Sequence, residues 1–434
     1  MTGVQLDPYG DRYAARTQGM TASAIRALFA VASRPEVVSL AGGMPFIQAL
    51  PLDAVSEMVA ALVRDRGPTA LQYGSGQGYP ELRERICDVM ALEGIAGSPD
   101  DVVVTVGSQQ ALDLVTRIFI DPGDVILAEA PSYVGALSTF ASYQASVVHV
   151  AMDEAGLVPA ALDEACTRLE RAGRPVKFLY TVPNFHNPAG VSLSVPRRAE
   201  VLDIAARHGL LVLEDNPYGL LGFDHEPVAA LRATAEDGVL YLGSFSKTFA
   251  PGLRVGWVLA PHSVREKLVL AAEASVLCPP HFTQMVVADY LRTQPWQDQV
   301  KVYREVYRDR RDTILEALAQ QLPPGSTWTK PAGGFYTWVT LPGDLDASEM
   351  LPRAIAHRVA YVPGSAFYAD GSGRSALRLS YCYPEPERIR EGVRRLAAVI
   401  EEEMDLRSTF AGALPTASPG TVSDAVSTPG PDVA

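Results

Sequence analysis

Seven short runs of β-branched and other apolar residues recur between residues 100 and 260, and they constrain the fold more than any other feature of the chain. The runs are Val102–Val106, Val125–Ala128, Val147–Val150, Phe178–Val182, Leu210–Leu213, Leu240–Gly243 and Val255–Leu259. Between most of them lie stretches of helical composition rich in Ala, Leu, Arg and Glu, such as Val195–His208. A strand that is apolar on both sides needs cover on both faces, so the alternation predicts an α/β fold with a mostly parallel, seven-stranded sheet flanked by helices. The chain has 434 residues, enough for two or three domains, and with 47% hydrophobic and 20% charged residues it can bury a sizeable core.

The pattern changes after Pro279-Pro280. Long helical stretches follow at Thr283–Leu291 and Gln294–Leu322, then Gly333-Gly-Phe-Tyr-Thr-Trp-Val-Thr-Leu, then a last helix from Glu385 to about Leu406. This predicts a smaller α+β domain. Near the start, Thr21–Ala32 reads as a short amphipathic helix with a Thr or Ser cap. The expected division is an arm and helix over 1–45, a large domain over 46–285, a small domain over 286–407 and a disordered tail over 408–434, which is rich in Ser, Thr, Pro, Gly and Ala and lacks Lys and Arg.

Charge and cysteine usage exclude several classes of function. Thirty-seven basic against 50 acidic residues give a net charge of −13, and no basic run stands out to neutralise phosphates, so neither nucleic acid nor an anionic membrane is expected as a partner. Cys87, Cys166, Cys278 and Cys382 are scattered and form no Cys-x-x-Cys pair, so no metal site is expected and the thiols read as reduced. No signal-like or membrane-length apolar segment stands out, the latter needing roughly 18 uninterrupted residues. A cytoplasmic location is expected.

The strongest local signal for chemistry is Gly243-Ser-Phe-Ser-Lys247-Thr-Phe-Ala-Pro-Gly-Leu-Arg254-Val-Gly-Trp. It places one lysine just past an apolar strand, between hydroxyls and ahead of an arginine. Burial and neighbouring cations lower a lysine's pKa and make it a nucleophile toward an aldehyde. Ser244, Ser246 and the Arg254 fork could hold a phosphate on the same molecule. An aldehyde that carries a phosphate is pyridoxal 5′-phosphate. The plain alternative, for Ser-x-Ser-Lys alone, is a surface lysine in a Ser-rich loop.

Taken with this string, the chain resembles the fold-type I pyridoxal-phosphate-dependent aminotransferases of class I/II, and is similar to the subgroup of 2-aminoadipate and kynurenine aminotransferases. The resemblance spans roughly residues 20 to 405. Leu211-Val-Leu-Glu-Asp215-Asn-Pro-Tyr218 is an apolar strand that ends in a carboxylate. Asp215 fits the group that keeps the cofactor's pyridine nitrogen protonated, while Glu214 should point to the opposite face. Read alone, Asp215 could merely cap a turn. The resemblance gives Tyr218 and Asn187, the latter in Val182-Pro-Asn-Phe-His-Asn187-Pro, the role of donors to the cofactor's phenolic oxygen; alone, Asn-Pro-x-Gly is a turn signal. His186 receives no role.

Val104-Thr-Val-Gly107-Ser108-Gln109 reads as strand, glycine turn and helix start, so Ser108 and Gln109 are expected at the phosphate, where a helix N-terminus favours an anion. A plain Ser cap is the alternative. Tyr133 resembles the aromatic residue stacked on the pyridine ring, against the alternative of a core tyrosine. Tyr73, in Tyr73-Gly-Ser-Gly-Gln-Gly, resembles a tyrosine that reaches the phosphate of a neighbouring subunit, which implies a homodimer. Arg378, in Ala376-Leu-Arg378-Leu-Ser, resembles the fork that binds the substrate α-carboxylate, and Gly43 matches a backbone segment of the substrate pocket. Arg26 is either a contact to a distal substrate carboxylate or part of a solvated helix face.

The resemblance therefore implies transfer of an amino group from an L-α-amino acid to a 2-oxo acid, most often 2-oxoglutarate, by a ping-pong mechanism. Lys247, Asp215 and Tyr218 would be the catalytic residues. A β-lyase or decarboxylase would share every cofactor contact and differ only in the bond aligned at Cα. A non-catalytic regulator would need on the order of 60–80 further residues for a winged helix before Thr21.

Overall fold

The computed structural model describes residues 7, 9–19 and 34–413. The helix expected at Thr21–Ala32, with Arg26, and most of the expected tail lie outside the described residues. All seven apolar runs form strands of one sheet, in the spatial order Val102–Thr105, Gly256–Leu259, Val239–Ser244, Leu211–Asp215, Val176–Thr181, Val125–Ala130, Ser146–Asp153 and Gly156–Leu157. The sheet has eight strands, one more than expected. The additional strand is the two-residue Gly156–Leu157, which pairs antiparallel with Met152 and Asp153 at the edge, too short to register as an apolar run.

Gly256–Leu259 runs antiparallel to both its neighbours, and the six other long strands all run one way. Their side chains alternate between two separate cores. Val103, Ile126, Phe178, Leu213 and Leu240 join helices Ser108–Phe119, Val134–Ser142 and His262–Val276 on one face. Val125, Leu127, Leu179, Val212 and Val239 join helices Pro159–Arg171 and Val195–Arg207 on the other. Each fully buried aliphatic side chain contributes about 1.5–3 kcal/mol, so cover on both faces is what makes such a parallel sheet stable. Because the strands are parallel, the loops after residues 105, 130, 181, 215 and 244 all leave from one edge. That edge is where open α/β sheets bind ligands.

A second, four-stranded antiparallel sheet is built from Thr327–Trp328, Tyr336–Thr340, Ala376–Ser380 and Val362–Pro363. Helices Trp296–Gln321 and Pro386–Ala413 pack together beside it, the latter ending seven residues beyond the sequence expectation. The segment Val38–Ser39 pairs parallel with Val359–Ala360, which carries the following Gly42–Met44 turn to the same edge as the parallel strand ends. Among the described residues no helix is long and apolar enough to cross a membrane.

Candidate active site

The strand ends and the second sheet enclose a cavity of about 320 Å³, lined by Gly43, Ser108, Tyr133, Asn187, Asp215, Tyr218, Ser244, Ser246, Lys247 and Arg378, with Met44, Pro45, Val182, Pro217, Pro251 and Tyr336 completing the wall. Ten of the residues expected from the sequence are thus brought together from positions up to 335 residues apart.

Lys247 follows the strand Val239–Ser244, and its Nζ donates to Gly43 O at 2.9 Å and lies 5.6 Å from the centre of the Phe335 ring. Removal of water lowers its pKa to about 8; Cys382 opposes this, and the Arg378 and Arg254 guanidiniums add smaller downward pushes. A substantial fraction of the amine is therefore unprotonated and nucleophilic near neutral pH.

Asp215 ends the strand Leu211–Asp215 and is 3% exposed. Its Oδ2 accepts from the Tyr180 hydroxyl at 2.8 Å, and its buried Oδ1 has no partner. Burial raises its pKa to about 6, against the lowering effect of the Tyr180 hydrogen bond. Glu214 points the other way, as strand alternation requires, and both its oxygens are filled, accepting from the backbone N–H groups of Leu231 at 3.0 Å and Arg232 at 2.9 Å.

Arg378 lies on Ala376–Ser380 and is 1% exposed. Its guanidinium sits 4.1 Å from the centre of the Tyr336 ring and 5.1 Å from that of Phe367, which hold it by cation–π attraction. Nη1 donates to Asn187 Oδ1 at 2.8 Å and Nη2 to Ala41 O at 2.6 Å, while Nε is buried without a partner. A cation held this firmly with donors to spare can bind a carboxylate at little ordering cost. Tyr336 and Tyr180, which the sequence did not single out, owe their places here to contacts across strands.

Gly107 caps helix Ser108–Phe119 with φ +74°, and a side chain there would run into the Arg254 guanidinium. Arg254 itself is left-handed, with φ 53° and ψ 48°, and among the described residues it donates only to the carbonyls of Pro251 and Val106. The helix's first N–H groups have no intrahelical acceptor, and Ser244 Oγ lies 2.9 Å from Ser246 Oγ. Hydroxyls, free N–H groups and a guanidinium so placed make an anion site. The Gln109 side chain does not join them. Its Nε2 turns away to Gly135 O at 3.1 Å and Thr139 Oγ1 at 2.7 Å, so only its backbone can face the anion. Tyr73 also lies off this cavity, with 77% of its surface exposed.

Tyr133 and Tyr218 line the cavity walls, and burial raises both phenol pKa values, that of Tyr133 to about 12. Both remain neutral hydrogen-bonding groups near pH 7.

This arrangement of lysine, buried carboxylate, anion cradle and carboxylate-binding arginine defines a site for an aldehyde cofactor and an amino-acid substrate. The family described as aminotransferase class I and II matches residues 41–396. Aromatic-amino-acid aminotransferase 1 of Thermococcus litoralis is 41% identical over 399 residues, 91% of this chain and 95% of that protein. The 2-aminoadipate transaminase of Thermus thermophilus is 38% identical, over 88% and 94% of the two chains. The crystal structure of Pyrococcus horikoshii kynurenine aminotransferase, in complex with PMP, matches with a TM-score of 0.88 at 37% identity, covering 92% of this chain and 99% of that one.

The chain belongs to the class I and II aminotransferases, and its cofactor is pyridoxal 5′-phosphate. The described residues fit that group: Asp215 Oδ1 is a buried acceptor without a donor, and Gly107 keeps clear the cradle beside Arg254.

Proposed function

We propose that this aminotransferase moves the amino group of an apolar or aromatic L-α-amino acid to 2-oxoglutarate by a ping-pong mechanism. The observation that carries the reading is the pairing of an amine of depressed pKa, Lys247, with the partnerless buried oxygen of Asp215 in one cavity. When bound, pyridoxal 5′-phosphate supplies an electrophilic aldehyde and a ring that draws electrons from the substrate's Cα.

Lys247 would hold the cofactor's aldehyde carbon, and its amine, once free, could carry the proton of the substrate's Cα. Asp215 would keep the ring nitrogen protonated, a charge pair strengthened by the burial of this carboxylate. Asn187 and Tyr218 would donate to the phenolic oxygen, and Tyr133 would supply an aromatic wall for the ring. Ser108, the backbone of Gln109, Ser244, Ser246 and Arg254 would hold the phosphate. Arg378 fixes the α-carboxylate, which aligns the Cα–H bond for removal, and the carbonyl of Gly43 positions the Lys247 amine.

Met44, Pro45, Val182 and Tyr336 leave the described wall beyond these groups largely apolar, and the Thermococcus litoralis relative is named for aromatic amino acids. Arg26 is the candidate partner for the distal carboxylate of 2-oxoglutarate, which apolar donors lack. The reading includes a cytoplasmic homodimer in which Tyr73 reaches the neighbouring subunit's phosphate; its high exposure supports that placement. It also divides the chain into a cofactor domain over 46–285 and a small domain over 286–407 that carries Arg378.

The test mixes the holoprotein with a panel of amino acids, follows loss of the visible cofactor band and its return on adding 2-oxoglutarate, and identifies products. Phenylalanine, tyrosine or leucine should yield the matching 2-oxo acid in stoichiometric amount. Release of carbon dioxide, or of a β-substituent, without a 2-oxo acid of unchanged skeleton would assign the site to decarboxylation or elimination.

A further inference from the structure

His186 and Glu129 play no part in the mechanism above, yet they form the most enclosed polar contact beside the site. Glu129 sits at the end of strand Val125–Ala130 and is 1% exposed; His186 is fully buried. Glu129 Oε1 accepts from Thr181 Oγ1 at 2.8 Å, and Oε2 accepts from the backbone N–H of Val182 at 2.8 Å. The same Oε2 lies 3.1 Å from His186 Nε2, within contact range but off the straight line of an ideal hydrogen bond.

The other ring nitrogen fixes the tautomer. His186 Nδ1 accepts from the backbone N–H of Ala189 at 3.2 Å, so it carries no proton. The ring proton is then on Nε2, where Glu129 is its nearest acceptor. The imidazole thus lies between the carboxylate at one strand end and the far side of the loop that carries Asn187.

That loop is pinned on its other flank as well. Phe185 is left-handed, with φ 47°, a conformation costing a non-glycine residue about 1–2 kcal/mol that must be over-determined by its surroundings. Its ring fills the space that a side chain at Gly333 would occupy, its Cβ does the same at Gly334, and the ring stacks on His225 at 6.4 Å. His186 N donates to Val191 O at 2.8 Å, and Gly190 N donates to His186 O at 2.6 Å, closing the turn. Asn187 sits between these anchors. Its Oδ1 is taken by Arg378, which leaves its Nδ2 to donate into the cavity.

We propose that Glu129 and His186 are a positioning pair that holds the 183–190 loop so that Asn187 presents its amide at once to Arg378 and to the cofactor's phenolic oxygen. The proposal rests on the reading of Asn187 as a cofactor contact. Donation to an anionic oxygen lowers the pKa at which the lysine-bound cofactor takes up its proton, so a loosened Asn187 raises that pKa. The pair then affects both ends of the site, cofactor and carboxylate, without touching either.

The experiment titrates the visible absorbance of the holoprotein against pH in wild type, His186→Ala, Glu129→Gln, His186→Gln and Asn187→Ala, with cofactor affinity of the apoprotein measured alongside. His186→Ala and Glu129→Gln should raise the transition by about one unit, a tenfold change in proton affinity. Both should also raise KM for the amino donor more than they lower kcat. His186→Gln, whose amide can still donate toward Glu129, should recover at least half of the shift. If His186→Ala does not fold, His186→Asn, too short to reach Glu129, reads the same transition.

A folded His186→Ala or His186→Asn whose transition and KM match wild type, while Asn187→Ala moves both, overturns the positioning role. An Asn187→Ala protein whose transition stays at the wild-type value overturns instead the cofactor contact on which the proposal rests.

Discussion

Asp215 and Glu214 are neighbouring carboxylates at the end of one strand, both buried and both shifted toward the protonated form by loss of water. They differ in what fills their oxygens. Glu214 faces the core shared with Leu231 and Arg232, and its two oxygens take two backbone N–H groups that would otherwise be orphaned. Asp215 faces the cavity, and one oxygen takes the Tyr180 hydroxyl while the other takes nothing. A buried polar atom without a partner costs stability, of order 1–3 kcal/mol, and a fold keeps such an atom where a ligand supplies the partner. One strand end thus separates a structural carboxylate from a functional one, and alternation of strand side chains does the separating.

Substitution tests that contrast. Asp215→Asn should lower kcat/KM by about 10²–10³-fold, the scale of losing one preorganised charge at a reacting centre, and should leave apoprotein thermal stability unchanged or higher because a costly buried charge is gone. Glu214→Gln should do the reverse, with turnover within a few-fold of wild type and stability lowered by about 1–2 kcal/mol, because the amide can accept only one of the two N–H groups well. Calorimetry of the apoproteins together with steady-state kinetics checks both. Equal kinetic losses in the two variants would erase the distinction.

The parallel sheet was legible because a strand buried on both faces must be apolar throughout, and seven such runs are hard to arrange otherwise. The two-residue edge strand at Gly156–Leu157 was not, since its pairing depends on a turn and carries no run of its own. At the site, Lys247 and Asp215 were legible because each follows an apolar strand, and the opposite facing of Glu214 followed from a period of two. The turn of the Gln109 side chain toward Thr139 was not legible, because that partner lies 30 residues away on another helix. Tyr180, Tyr336 and the Glu129–His186 contact escaped notice for the same reason. Their roles come from which strands lie side by side, and spacing along the chain does not encode that.

The claim on which all of this depends is that Lys247 is the residue that binds the cofactor's aldehyde. Borohydride reduction of the holoprotein, followed by peptide mass mapping, tests it directly. The account predicts one phosphopyridoxyl group per chain, on Lys247, and none in Lys247→Ala. A group found on Lys177, Lys267, Lys301 or Lys330, the other lysines of the chain, would contradict it.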